Sequence, residues 1–280
     1  MTGAPLAAAG FGLASAASWG AGDFSGGLAA RRSPVLPVVI ISQSVGLATV
    51  TLLSLARGEP LPPLAAVGWG SAAGALGAAG LLALYRALAV GRMGIAAPVG
   101  AVVAAALPVL FAALFQGFPS VAQVAGFALA LVGVWFLSRP EGARGRPEGL
   151  DLALLSGVGF GGFYILIAQA PASAVFWPLV AAKTTSVVVM LALAGGTGRF
   201  RLPGREVLPL VVTAGVLDVG GNAFFVLAEH AGRLDVASVL ASLYPATTVL
   251  LARLILKERV SRTQAVGIAA ALAAIPLIAG

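Results

Sequence analysis

The chain contains no cysteine and a single histidine, His230. Disulfides, thiolate metal sites and cysteine nucleophiles are therefore excluded, and no histidine cluster exists from which to build a metal centre. Charge is scarce as well: 10% of the 280 residues are Asp, Glu, Lys or Arg, against about 25% in an ordinary soluble domain. A water-soluble surface cannot be assembled from so little. The N-terminus, Met-Thr-Gly-Ala-Pro, lacks the basic region of a secretory signal, so the first apolar stretch reads as a retained helix.

What is abundant is hydrophobic sequence, 59% of the chain, with a mean hydropathy of +1.01. Crossing a bilayer takes about 20 apolar residues per helix, and many of the runs are that long. The net charge of +7 and pI near 11.0 would suit a nucleic-acid binder only if the basic residues shared one solvated face. They lie instead in short connections between apolar runs, where they anchor the chain against anionic lipid and set its orientation. No nucleic-acid partner is expected; the lipid bilayer is.

Breaks fall where charge, Pro and Gly gather. They predict ten helices, at about 5–29, 35–56, 64–85, 94–116, 119–138, 152–171, 174–195, 207–229, 234–256 and 263–279, with ends uncertain by about 2–4 residues. The longest polar stretch, 139–151, holds Arg139, Glu141, Arg144, Arg146, Glu148 and Asp151. It divides the chain into 1–138 and 152–280.

The two parts align without a gap under one constant offset, and such repetition is sought before a fold is assigned. Ser15, Trp19 and Gly20 meet Ser156, Phe160 and Gly161; Pro37 meets Pro178; Leu61 and Pro62 meet Leu202 and Pro203; Gly91 and Arg92 meet Gly232 and Arg233; Gln123 and Gly126 meet Gln264 and Gly267. Five helices per part is an odd number, so the second part enters the membrane from the opposite face. The fold class is thus all-α integral membrane, ten transmembrane helices as two inverted five-helix repeats. Loop charge agrees: the first connection carries Arg31 and Arg32 while its equivalent is uncharged, and the fourth is uncharged while its equivalent carries Lys257, Arg259 and Arg262. Lys and Arg are retained on the cytoplasmic side, and inverted repeats characterise secondary transporters.

Several local patterns then stand together: Trp19-Gly20 in the first helix, Tyr85-Arg86-Ala87-Leu88 before the fourth, Pro108 and Pro245 within the fourth and ninth, and Leu256-Lys257-Glu258-Arg259-Val260 ahead of Gln264 and Gly267. With them the chain resembles EamA-type members of the drug/metabolite transporter superfamily, most of all bacterial amino-acid exporters. The first repeat departs from that pattern, with uncharged Phe115-Gln116-Gly117-Phe118 where the second has its charged motif. The resemblance implies that the repeats form a basket around a central cavity, lined mainly by the first, third, fourth, sixth, eighth and ninth helices. It also implies alternating access, a bacterial inner membrane and both termini inside the cell. Charge points the other way on the termini, because the odd-numbered connections hold most of the 17 Lys and Arg, which puts those connections in the cytoplasm.

Polar and aromatic residues deep in spans are the candidates for a substrate cavity, since an unpartnered polar group in hydrocarbon is costly. These are Ser15, Ser18, Trp19, Phe160, Tyr164, Asn222, Ser242 and Tyr244. Their mix of apolar surface and a few hydrogen-bonding groups suits an amino acid. Trp69, Trp135 and Trp177 fit an interfacial belt. Pro98, Pro108 and Pro245 are hinge candidates or static kinks, and Gly70, Gly74, Gly77 and Gly80 form a small-residue face for close helix packing.

Charged residues within spans are few. Lys183 and Asp218 read as an ion pair or, for Asp218, a proton-coupling group, and Asp23 reads as a cap near the surface. No cofactor and no metal are expected. A monomer exporting small neutral or hydrophobic, including aromatic, amino acids is the leading expectation. Transport of a drug, nucleotide-sugar or sugar-phosphate is the alternative, although no Lys/Arg cluster lies deep in the spans; an intramembrane enzyme is the other, built on Ser/Lys or Asp/Asp groups alone.

Overall fold

The computed structural model describes residues 3–90, 93–137, 149–171, 173–197, 202–256 and 261–279. The regular elements among them are all helices: α1 (Gly3–Arg32), α2 (Val35–Ala56), α3 (Leu64–Val90), α4 (Met93–Phe115), α5 (Val121–Leu137), α6 (Leu150–Ile167), α7 (Phe176–Thr197), α8 (Leu208–Ala231), α9 (Leu234–Ala241), α10 (Tyr244–Leu256) and α11 (Arg262–Ala279). Most of the predicted 139–151 linker, the pair Gly91-Arg92, the charged residues 257–260 and the side chain of Pro98 lie outside the described residues.

Among the described residues, six stretches are long and apolar enough to cross a membrane: Val35–Ala56, Leu64–Val90, Leu150–Ile167, Phe176–Gly196, Leu208–Ala231 and Leu234–Ile255. Val99–Phe115, Val121–Phe136 and Arg262–Ile278 are shorter apolar helices. Large side chains such as Leu52, Leu114, Leu154, Leu191 and Leu272 point outward, the arrangement expected where the surrounding solvent is lipid. Inside, Ala dominates the buried hydrophobic residues, so helix backbones come close together. This is a multi-pass membrane protein.

Three of the predicted elements differ. α1 runs through Arg31 and Arg32, whose positive charges favour the negative end of the helix dipole. α3 continues past Tyr85 to Val90 because Tyr85, Ala87 and Leu88 are core residues and not part of a connection. The predicted ninth helix is broken at Ser242 and Leu243 into α9 and α10. The cause lies just beyond: Pro245 has no N–H to give the carbonyl of Ala241, and its ring crowds that carbonyl. The chain tightens there through Leu243 N–H to Leu240 O (3.2 Å) and Ala246 N–H to Leu243 O (2.9 Å). Pro108, by contrast, sits within an unbroken α4.

Helices from the first part pack mainly on helices from the second. α1 lies on α8, α9 and α10; α3 on α6 and α7; α2 on α7 and α8; α4 on α6; α5 on α11. Glycine allows the closest approaches. A Cβ at Gly74 would strike the backbone of Ala182, one at Gly215 the carbonyl of Ser42, and one at Gly20 the carbonyl of Tyr244. Hydroxyls stitch the α1–α8 and α1–α10 crossings: Ser15 Oγ donates to Gly221 O (2.8 Å), Ser18 Oγ to Leu217 O (2.7 Å) and Thr248 Oγ1 to Gly20 O (2.9 Å).

Candidate functional site

A cavity lies where α1, α2, α3, α6, α7, α8 and the start of α10 converge, near the middle of their lengths. Its apolar wall is aromatic. Trp19 stacks on Tyr164 with ring centroids 5.4 Å apart, and Tyr164 is backed, outside the lining, by Phe225 at 4.5 Å. Phe160, Phe163 and Tyr244 complete it. Trp19 can lie flat against α8 because Gly221 has no side chain beneath its ring.

The polar part is one network. Lys183 on α7 pairs with Asp218 on α8 and donates to Gln43 Oε1 on α2 at 3.1 Å. Gln43 Nε2 in turn donates to Asp218 Oδ2 at 2.9 Å, and Asn222 Nδ2 to Asp218 Oδ1 at 3.1 Å. Lys183 and Asp218 are each largely removed from solvent, their side chains 9% and 19% exposed. Moving two charges out of water costs several kcal/mol per ion, and this is offset only where geometry is good and further hydrogen bonds are made. The amides of Gln43 and Asn222 supply them.

Five predicted cavity residues, Trp19, Phe160, Tyr164, Asn222 and Tyr244, line this space, together with Lys183 and Asp218. The other three do not. The hydroxyls of Ser15 and Ser18 are spent on the carbonyls of α8, and Ser242 Oγ on Val239 O (2.7 Å) at the break before Pro245. Asp23 is not a surface cap: it is 9% exposed and forms part of the cavity wall, because α1 continues well beyond it. The lining helices also differ from those the resemblance implies. α2 and α7 contribute Gln43, Leu179, Ala182, Lys183 and Ser186, while no described residue of α4 reaches the cavity. α4 is pressed against α6, where a Cβ at Gly157 would meet Val103 and the carbonyl of Gly100.

Of the small-residue face on α3, Gly70 and Gly74 lie under the backbone of Pro178 and Ala182 on α7, and Gly77 and Gly80 meet Phe163 and Phe160. Gly74 and Gly77 also border the cavity. Trp69 and Trp135 are exposed on the outer surface. Trp177 is tied down, its indole N–H donating to Glu59 O at 2.9 Å. Gln43 was missed by sequence reasoning, although a lone amide in the apolar run of α2 is the same signal that marked Asn222.

Residues 148–280 match the EamA-like transporter family. That match, over just under half of the chain, supports placing it in the EamA-type drug/metabolite transporter superfamily. The match spans the second of the two aligned parts, and it brings a general role, carriage of small molecules across a membrane. Among curated proteins nothing matches this chain. A solved crystal structure of a protein superposes with a TM-score of 0.76 over 96% of this chain and 95% of that one, at 18% identity. Identity that low shows a shared fold and no more.

Proposed function

We propose that the protein is a secondary transporter that exports small neutral or hydrophobic, including aromatic, amino acids or related metabolites across a bacterial inner membrane. It acts by alternating access and not as an enzyme. The observation that carries the reading is the cavity itself, walled by helices of both aligned parts, with a polar network and an aromatic wall at mid-depth. Transporter substrate sites lie near the bilayer midplane at the interface between repeats.

The packing of the helices supports two inverted five-helix repeats, 1–138 and 152–280. Exchange α1 with α6, α2 with α7, α3 with α8, α4 with α9 and α10, and α5 with α11. The α1–α8 contact becomes α6–α3, α3–α7 becomes α8–α2, α4–α6 becomes α9 and α10 on α1, and the α2–α7 and α5–α11 contacts map onto themselves. A pseudo-two-fold arrangement lets one repeat rock against the other, with Pro245, and by the same reading Pro98 and Pro108, giving at the bends.

The test is counterflow in proteoliposomes. Labelled phenylalanine or leucine should accumulate against the same unlabelled amino acid inside, and Trp19→Ala should slow it at least tenfold with the protein still folded. No counterflow of any amino acid, with clear counterflow of another metabolite class, would remove the substrate assignment and leave the transporter.

A further inference from the structure

The charges around the cavity do not balance. Asp23 and Asp218 face it with Lys183 as the one cation among the described lining residues, and Lys183 is committed to Asp218 and Gln43. Asp218 is saturated in turn by Lys183, Gln43 and Asn222. Asp23 has none of this. It is 9% exposed, and no group among the described residues hydrogen-bonds or pairs with it. A buried carboxyl group stays ionised only when paired, and otherwise takes up a proton; the ionised form of Asp23 therefore needs a cation from outside the chain.

Its surroundings say what kind. Asp23 is one helical turn beyond Trp19 on the same face of α1, since residues four apart are stacked along a helix. The aromatic wall of Trp19, Tyr164 and Tyr244 therefore adjoins the carboxylate. Across the space, Ser186 lines the cavity from α7 with a buried hydroxyl that has no hydrogen-bond partner. An anion beside aromatic faces, with a spare hydroxyl, is complementary to an ammonium group carried on an apolar body; ring faces add their own attraction for a cation.

We propose that Asp23 is the anchor for the ammonium group of the transported molecule, and that a primary ammonium on an aromatic or apolar body is the feature the cavity selects. This rests on the transporter reading and specifies its substrate. Both an α-amino acid and a simple amine carry that group, and the excess of acid over base in the cavity favours the amine.

Binding to detergent-purified protein separates the possibilities, using phenylalanine, 2-phenylethylamine and N-acetylphenylalanine, which keep the ring and vary the charge. Wild type should bind 2-phenylethylamine, should bind phenylalanine equally or more weakly, and should bind the N-acetyl compound at least tenfold more weakly. Asp23→Asn should lose at least tenfold for both ammonium compounds and leave the third unchanged. Equal binding of all three by wild type, no binding of either ammonium compound, or full binding by a folded Asp23→Asn would each overturn the proposal. The wild-type series stands even if the variant does not fold. Counterflow of a non-ammonium metabolite alongside any of those results would show that the anchor is wrong and transport is right.

Discussion

At the scale of single residues the protein concentrates its risk in Lys183 and Asp218. Breaking a buried ion pair from one side leaves an uncompensated charge, at a cost of about 3–5 kcal/mol, whereas replacing both partners by apolar groups can be nearly neutral. Lys183→Met should therefore lower thermal stability sharply, and Lys183→Met with Asp218→Leu should recover most of the loss, read as the unfolding midpoint in detergent. If the double variant is no more stable than the single one, the pair is not acting as a unit. Asp218→Asn keeps the shape and removes the charge. Should Asp218 couple transport to protons, that variant will still show counterflow but lose the response to a pH gradient; an unchanged response assigns Asp218 a structural role. The pair was legible in the sequence because charge within an apolar run is expensive wherever it sits. The placement of Asp23 was not, because its depth depends on where α1 ends, and a helix rich in Gly, Ala and Ser gives a weak hydropathy edge.

Elements show a different kind of tie. The carboxylate of Glu59, on the connection between α2 and α3, accepts the backbone N–H groups of Val175, Phe176 and Trp177. An anion from the first part of the chain thus caps the N-terminus of α7 in the second, where unsatisfied N–H groups and the helix dipole both favour negative charge. On the neighbouring connections, Arg233 bonds to Asp235 and also to Gly117 O at 2.8 Å, joining the α4–α5 loop to the start of α9. Glu59→Ala should cost about 1–2 kcal/mol of stability, seen as a lower unfolding midpoint, while Glu59→Gln should retain part of it through its amide oxygen. Pro245→Ala should allow α9 and α10 to join; slower counterflow with substrate binding preserved is the expected sign that the break is used in the cycle. The six long apolar spans could be read from sequence because span length is a property of each run alone. The α9–α10 break, the Glu59 cap and the absence of any described α4 residue from the cavity lining could not, because each depends on which backbone a distant segment meets.

For the molecule as a whole, orientation is the property most directly measured. The chain has no cysteine, so single cysteines at Ser33 and Arg57, at opposite ends of α2, can be labelled without background. The charge distribution predicts that Arg57→Cys reacts with an impermeant maleimide in intact cells and Ser33→Cys only after permeabilisation; the reverse would place both termini in the cytoplasm. The interlocking of the two parts has a further consequence, for how the protein is made. Ser15 on α1 is satisfied by Gly221 on α8, 206 residues later. At about 5–20 residues per second, the ribosome needs roughly 10–40 s to supply that partner. Throughout that interval α1 stands in or beside the bilayer with Ser15, Ser18 and Trp19 lacking the neighbours that will bury them. Insertion and folding are therefore separate events for this chain, and a ribosome stalled before α8 should leave α1 open to exchange, capture by insertion machinery or degradation.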